Sequence, residues 1–564
     1  MKFSEMPYQR PDIPALREKL ETLRARIEGA QSADEAERAY RESDALSQQY
    51  ATATSLAYIR HSIDTCDAFY DAENAFADEN EPVVKEMAQA VNLALLRSPF
   101  RKELEARLGE VLFTNLEIEV RSFSPQNLAL MQEENRLQSE YQKLYASALA
   151  DWEGAKLPLP KLGPYKQSGD RATRRRAYEA ELAAYPRIEI PMAACLNGIK
   201  GEALTLCELR HYDSVLDTAL DASRMDRATL DALLSAMRKS LPMFRRYFRL
   251  KARLLGYDGG LKFYDLCAPV GEAGQKYTLD EARDMLVEVM GRFSPRMAGL
   301  IDRAFRERWI DAYPREGKQG GAFCSGVHPL GISYVMTNFE GSYSSVSTLA
   351  HELGHAYHSS CLNDASVLMC DYPMPLAETA SIFNETLLME KTLETAGDET
   401  KLTLLEQQIG DAAQVVVDIL SRYLFETEVV ERRKDHPLSP RELCAIMLEA
   451  QKQTYGDGLD PKFLHPYMWA CKPHYYSTSI HFYNFPYAFG MLFGLGVYAR
   501  YLEKGEAFLP EYDRLLAATG SGSVREVAAS VGIDVADEAL WMQSIRTLEE
   551  KVDAFERLAS ARLG

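Results

Sequence analysis

The chain of 564 residues has no cysteine pair in a C-x-x-C spacing. Its nine cysteines are scattered from Cys66 to Cys471. An odd, dispersed set excludes a fully paired disulfide framework and predicts reduced, cytoplasmic thiols. No apolar run is long enough to span a bilayer. The most apolar late stretch, Phe489 to Tyr501, contains glycines and Arg500 and falls short of the ~20 residues required. The opening, Met1 to Pro11, lacks an apolar signal core, so a soluble cytoplasmic protein without a membrane partner is expected. Internal repeats and low-complexity tails are missing too. Positive charge is in deficit: 64 Lys and Arg face 83 Asp and Glu, for a formal net charge of -19. Such a chain repels polyanions, which argues against a nucleic-acid partner.

What is present reads as a large helical protein. Composition is ordinary for a globular chain, 46% hydrophobic and 26% charged. At this length two lobes are expected rather than one core. Leu16, Leu20, Leu23 and Ile27 recur at helical spacing, as do Leu137, Tyr141 and Leu144. The run K-L-P-L-P-K-L-G-P-Y breaks this texture between Gly154 and Gly169. It predicts a boundary or a short extended excursion, with an N-terminal helical lobe over 1–155 and a catalytic region over 156–564. A basic run over 236–253 reads as a charged helix that balances the acidic remainder. Glycines at 317, 320, 321, 326 and 331 punctuate A-F-C-S-G-V and I-S-Y-V-M-T-N-F, which predict a small sheet. Helices resume after residue 376.

Directly after those strands comes S-T-L-A-H-E-L-G-H-A-Y-H. On a helix, residues four apart share a face, so His351 and His355 can aim at one ion. Imidazole suits zinc, and Glu352 beside the first histidine can reach a water that the ion activates. Val346, Leu349, Leu353 and Ala356 supply the apolar stripe of such a helix, with Ser345 and Ser347 as its expected caps. A catalytic zinc needs a third protein ligand and an open position. His358 lies one turn beyond His355, which suits a supporting role. Glu378, in Y-P-M-P-L-A-E-T-A-S-I-F-N-E, is the expected third ligand. It follows Pro375 in the opening turn of a second helix, in apolar surroundings that would bury it. Glu385, two turns on, can accept the spare N–H of a ligand histidine.

Metal-assisted peptide hydrolysis then also needs donors for the carbonyl oxygen. K-P-H-Y-Y-S-T-S-I-H-F-Y-N-F-P-Y offers His474, Tyr475, Tyr476, His481, Tyr483 and Tyr487. Most of them are expected to be core, and spacing does not say which face the metal.

Taken together, these stretches resemble oligoendopeptidase F and the Pz-peptidases, of the thimet-oligopeptidase-like zinc peptidases. M-K-F-S-E-M-P-Y-Q-R-P, K-A-R-L-L-G, Y-D-L-C-A-P and V-G-I-D agree as well, so the resemblance covers nearly the whole chain. It implies a mostly helical, two-lobed body around a deep substrate channel, with a small sheet beside the zinc helix and an active site within 320–490. It implies one Zn2+ per chain on His351, His355 and Glu378, and Glu352 as base. His474, Tyr483 and Tyr487 are implied to contact substrate. The expected activity is cleavage of internal bonds of short peptides. A zinc carboxypeptidase or dipeptidyl carboxypeptidase is the alternative enzyme, and a peptide-binding module with structural zinc the alternative outside catalysis. Oligomeric state is left open.

Overall fold

A computed structural model describes residues 6–122, 128–271, 276–327, 330–362 and 370–564. The first five residues of the opening quoted above lie outside them. Helices dominate the described residues, with five short strands among them. These are β1 (Leu149–Trp152), β2 (Ala155–Pro158), β3 (Ile310–Asp311), β4 (Phe323–Val327) and β5 (Ile332–Met336). Two compact units form, each from three separate segments.

The first unit joins residues 1–125, 274–392 and 500–533. Its N-terminal part begins with three long helices, Ile13–Glu28, Ala33–Ile63 and Ala68–Leu96, capped by Asp12, Ser32 and Asp67, and two shorter ones follow, Arg101–Leu108 and Glu110–Ser122. Leu20, Leu23 and Ile27 are buried in their shared core, and Leu16 packs at its margin. Main-chain bonds tie these helices to the loop before β4: Thr65 N donates to Gly317 O at 2.6 Å, and Gln319 N to Ser62 O at 3.0 Å. Lys318 in that loop is fully buried and donates to the carbonyls of Asp311, Tyr313 and Thr337, so one ammonium pins loop to sheet. The sheet order is β3-β5-β4. β4 pairs antiparallel with β5 from Phe323↔Met336 to Val327↔Ile332, leaving β4 at the edge.

The second unit joins residues 126–273, 393–499 and 534–564. The expected excursion near Gly154 is a hairpin, β1 against β2. Its two-residue turn, Glu153–Gly154, has φ of 50° and 84°. A turn with both centres in the left-handed region matches the strand twist, and glycine takes its second position without strain. The basic helix, Arg227–Leu254, finds its partners inside the unit. Arg249 bonds Asp457 at 2.7 Å, Arg245 donates to Gln453 O at 2.7 Å, and Arg246 and Lys239 meet Asp553 and Glu538. Helices Asp398–Ala413 and Ile419–Arg433 are joined through a π-turn over Gln414–Asp418. The last helix, Glu538–Leu563, buries Trp541, Ile545, Leu548, Val552 and Phe555. No described helix is long and apolar enough to cross a membrane, and no disulfide joins cysteines among the described residues.

Candidate metal centre and donor cluster

The histidine helix runs from Tyr343 to Cys361. It starts earlier than expected, because Ser342 is the cap and accepts Ser345 N–H at 3.1 Å. Ser345 instead accepts Glu340 N–H at 3.2 Å, extending the cap backward. Val346, Leu349, Leu353 and Ala356 are buried as one stripe. A neighbouring helix, Thr379–Thr395, packs against this one with almost no gap. A Cβ on Gly354 would lie 2.6 Å from both Ala380 O and Ser381 Cα. Glycine is therefore what lets the two backbones meet. Asn384 adds a bond across the contact, to Ala350 O at 3.2 Å.

Glu378 is not inside the opening turn of the long helix, as Pro375 suggested. A one-turn helix, Met374–Ala377, holds Pro375, and Glu378 caps its end before the next helix begins. Two consecutive helix starts set the carboxylate at a joint. Ser381 Oγ steadies it by donating to Glu378 Oε2 at 2.7 Å.

His351 Nε2, His355 Nε2 and Glu378 Oε2 converge. Their separations are 3.2 Å between the histidines, 3.3 Å from His351 to Glu378 and 3.5 Å from His355 to Glu378. Zinc bonds of ~2.0–2.1 Å at tetrahedral angles require donor pairs about 3.3–3.4 Å apart. The triangle fits one face of that tetrahedron, and it is the sole such group of three among the described residues. His351 Nδ1 meets the Glu385 carboxylate, which fixes the ring's orientation.

The charges follow this geometry. Burial opposes a charge on His351, but hydrogen bonds to Glu378 and Glu385 outweigh it and raise its pKa well above the usual value. Burial and the adjacent His351 hold His355 down at about 4. Glu378 loses solvation, yet its bond to His351 and the histidine charges bring it to about 2. Glu352 is 5% exposed, and burial lifts it to about 7. The nearby Glu378 and Glu385 push the same way, while His351 opposes them.

His358 stays out of the triangle. Its Nε2 lies 2.8 Å from Thr519 Oγ1 and its ring stacks on Tyr372 at 4.3 Å. Burial drops it to about 3, so it is a neutral packing residue. A cavity of about 500 Å³ opens over the metal residues and Glu352. Ala322, Phe323, Cys324 and Gly326 along the edge strand line it, with Tyr372. Tyr372 had no signal in the sequence beyond its place a few residues before Glu378.

The six aromatic donors all lie in the second unit, and they divide evenly. Tyr475 and Tyr476 are core: Tyr476 stacks on Tyr141 at 3.6 Å and Tyr475 packs on Phe425. His481 is buried with Nδ1 3.3 Å from Lys200 Nζ. The other three, His474, Tyr483 and Tyr487, are half-buried and face each other. The His474 and Tyr483 rings stack at 4.9 Å and 6°, and Tyr483 and Tyr487 lie 5.9 Å apart. The loop between them is held by a group that sequence reasoning missed. Glu426 bonds Lys200 Nζ at 2.6 Å and accepts Phe482 N–H at 3.1 Å, where φ is 52°. A non-glycine residue in that region needs such an external hold.

A profile described as peptidase family M3 matches residues 164–547, and one described as the peptidase M3 N-terminal domain matches residues 3–123. The chain is 27% identical over 398 residues to the group B oligopeptidase PepB of Streptococcus agalactiae, 70% of this chain and 65% of that protein. It is 27% identical over 401 residues to the oligopeptidase PepF of Bacillus subtilis, 70% of this chain and 59% of that one. These alignments take in less than two thirds of either relative's length. A solved structure of Pz peptidase A with an inhibitor superposes with a TM-score of 0.82 at 23% identity, covering 98% of this chain and 99% of that one. That likeness establishes the mostly helical fold.

Proposed function

The chain belongs to peptidase family M3, and on that premise we propose that it is a zinc-dependent endopeptidase acting on short peptides. The observation that carries this reading is the triangle of His351, His355 and Glu378, whose donor spacing suits zinc and which lines the cavity together with Glu352. A structural zinc would be closed by a fourth protein ligand and would need no base beside it.

When bound there, zinc supplies a Lewis acid that polarises a peptide carbonyl and makes a neighbouring water more acidic. The protein's own groups do the rest. Glu352 takes a proton from the water as the water oxygen attacks the carbonyl carbon. It returns that proton to the amine nitrogen as the C–N bond breaks. A carboxyl poised at about 7 is suited to both transfers near neutral pH. Glu385 keeps His351 turned to the ion through Nδ1. The free edge of β4 is where an extended peptide would pair through its main chain, because that edge lines the same cavity. His474 and Tyr483, with Tyr487 beside them, are the proposed substrate contacts, as donors on apolar bodies.

The test is an internally quenched peptide blocked at both ends, assayed before and after chelation. Cleavage that chelation abolishes and zinc restores supports endopeptidase action. Cleavage confined to peptides with a free C-terminus would assign the carboxypeptidase activity instead. Stoichiometric zinc with no chelator-sensitive cleavage would make the site structural.

A further inference from the structure

Asp418, the last residue of the π-turn, and Arg422 and Glu426, on the helix that follows it, are spaced four apart along one face. A π-turn rotates the residues after it relative to those before, and such turns recur at functional sites. Here it ends at Asp418, a buried carboxylate. Arg422 Nε donates to Asp418 Oδ2 at 2.8 Å, and its Nη2 meets the same oxygen. Tyr455 OH lies 3.4 Å from Asp418 Oδ1. Held in this way, the guanidinium plane has no freedom to turn. Its remaining nitrogen, Nη1, donates to Asn484 Oδ1 at 2.8 Å and lies 3.5 Å from His474 Nδ1. One side chain thus touches both ends of the loop that carries His474 and Tyr483.

We propose that Arg422 is a positioning residue that fixes His474 as the neutral tautomer with its proton on Nε2. A guanidinium has donors only and stays charged at every working pH. The nitrogen facing it must therefore present a lone pair, so the single ring proton sits on Nε2. Among the described residues Nε2 has no hydrogen-bond partner, which leaves that N–H for a ligand. Protonating Nδ1 would set a second cation against Arg422. Burial, Arg422 and Lys472 hold His474 down at about 4, with Asp418 opposing them. Asn484 supports the same geometry from the other side, since its carbonyl accepts Tyr487 N–H at 3.1 Å where the next helix begins. The tautomer follows from these contacts alone. Its bearing on turnover rests on the peptidase reading.

The two parts are separated by reading the ring directly. The zinc-loaded full chain, labelled with 15N-histidine, is compared with Arg422→Met and Arg422→Lys, and the His474 signal is assigned by its loss in His474→Gln. The chain has ten histidines, few enough to resolve. Wild type is expected to show Nε2–H and a bare Nδ1 at neutral pH, and Arg422→Met a mixture of tautomers. Because Arg422→Met strands a buried carboxylate, Asp418→Asn with Arg422→Met removes both charges and should give the same mixture in a folded chain. Arg422→Lys keeps a donor and should restore part of the wild-type signal. In the blocked-peptide assay, kcat should fall ~10-fold or more for Arg422→Met with KM nearly constant. A wild-type ring protonated on Nδ1, or a His474 signal indifferent to Arg422, overturns the proposal whether or not peptides are cut. A changed tautomer with unchanged kcat overturns its link to catalysis.

Discussion

The two chemical clusters of this molecule are built in opposite ways. In the first unit, His351, His355 and Glu385 come from two adjacent helices and Glu378 from the joint just before the second, and their placement depends on bare backbone contact at Gly354. In the second, His474 and Tyr483 sit on a loop held by charges far from them in sequence: buried Lys200, Asp418 and Glu426, and half-buried Arg422. A metal needs donors fixed to a few tenths of an ångström, which rigid helices deliver. A loop with a left-handed Phe482 is fixed only by what surrounds it.

The sharpest way to break the contrast is Lys200→Met. Lys200 and Glu426 are 1% and 3% exposed, so the glutamate would be left buried and unpaired. A loss of about 3–5 kcal/mol of stability is expected in denaturant unfolding, with zinc per chain unchanged. A stability change under about 1 kcal/mol would mean that the pair does not hold the loop.

The difference in construction also decides what the sequence could reveal. Histidines four apart and a glutamate after Pro375 are a local pattern, so the metal residues, their carboxylate support and the adjacent strands are legible. The cap at Ser342 and the joint at Glu378 were misplaced by a turn, because serine and proline spacing fixes helix ends only loosely. Arg422 and Lys200 carry no signal: a cation on a helix is ordinarily a solvated charge, and only the fold buries Lys200 and sets Arg422 against Asp418 and Asn484. The three-segment make-up of each unit is likewise a matter of long-range contact.

The next prediction in size tests the other half of the comparison. Gly354→Ala forces a Cβ against Ala380 O at 2.6 Å, backbone that cannot rotate away. About 1–3 kcal/mol of strain is expected. Zinc affinity should drop roughly 10-fold or more, as when ligand-orienting groups are lost. Competition with a chromophoric chelator measures it. Wild-type affinity in that variant would show that the helix contact does not place Glu378.

A smaller effect concerns protons. His351 keeps its proton above the usual range, while His355, at about 4, and Glu378, at about 2, are already deprotonated near neutral pH. Zinc should therefore displace the proton held on His351, and its affinity should rise with pH, because the competing proton is lost on binding. Zinc affinity measured as a function of pH tests this. Affinity that is flat or falls as pH rises would contradict the charge arrangement.

On the proposed mechanism Glu352 moves the proton while His351, His355 and Glu378 hold the ion. Zinc content and cleavage of the blocked peptide, measured together in Glu352→Gln, separate the two roles. One zinc per chain is expected, as in wild type, with turnover reduced by at least ~100-fold. Turnover near wild type at full zinc occupancy would contradict it.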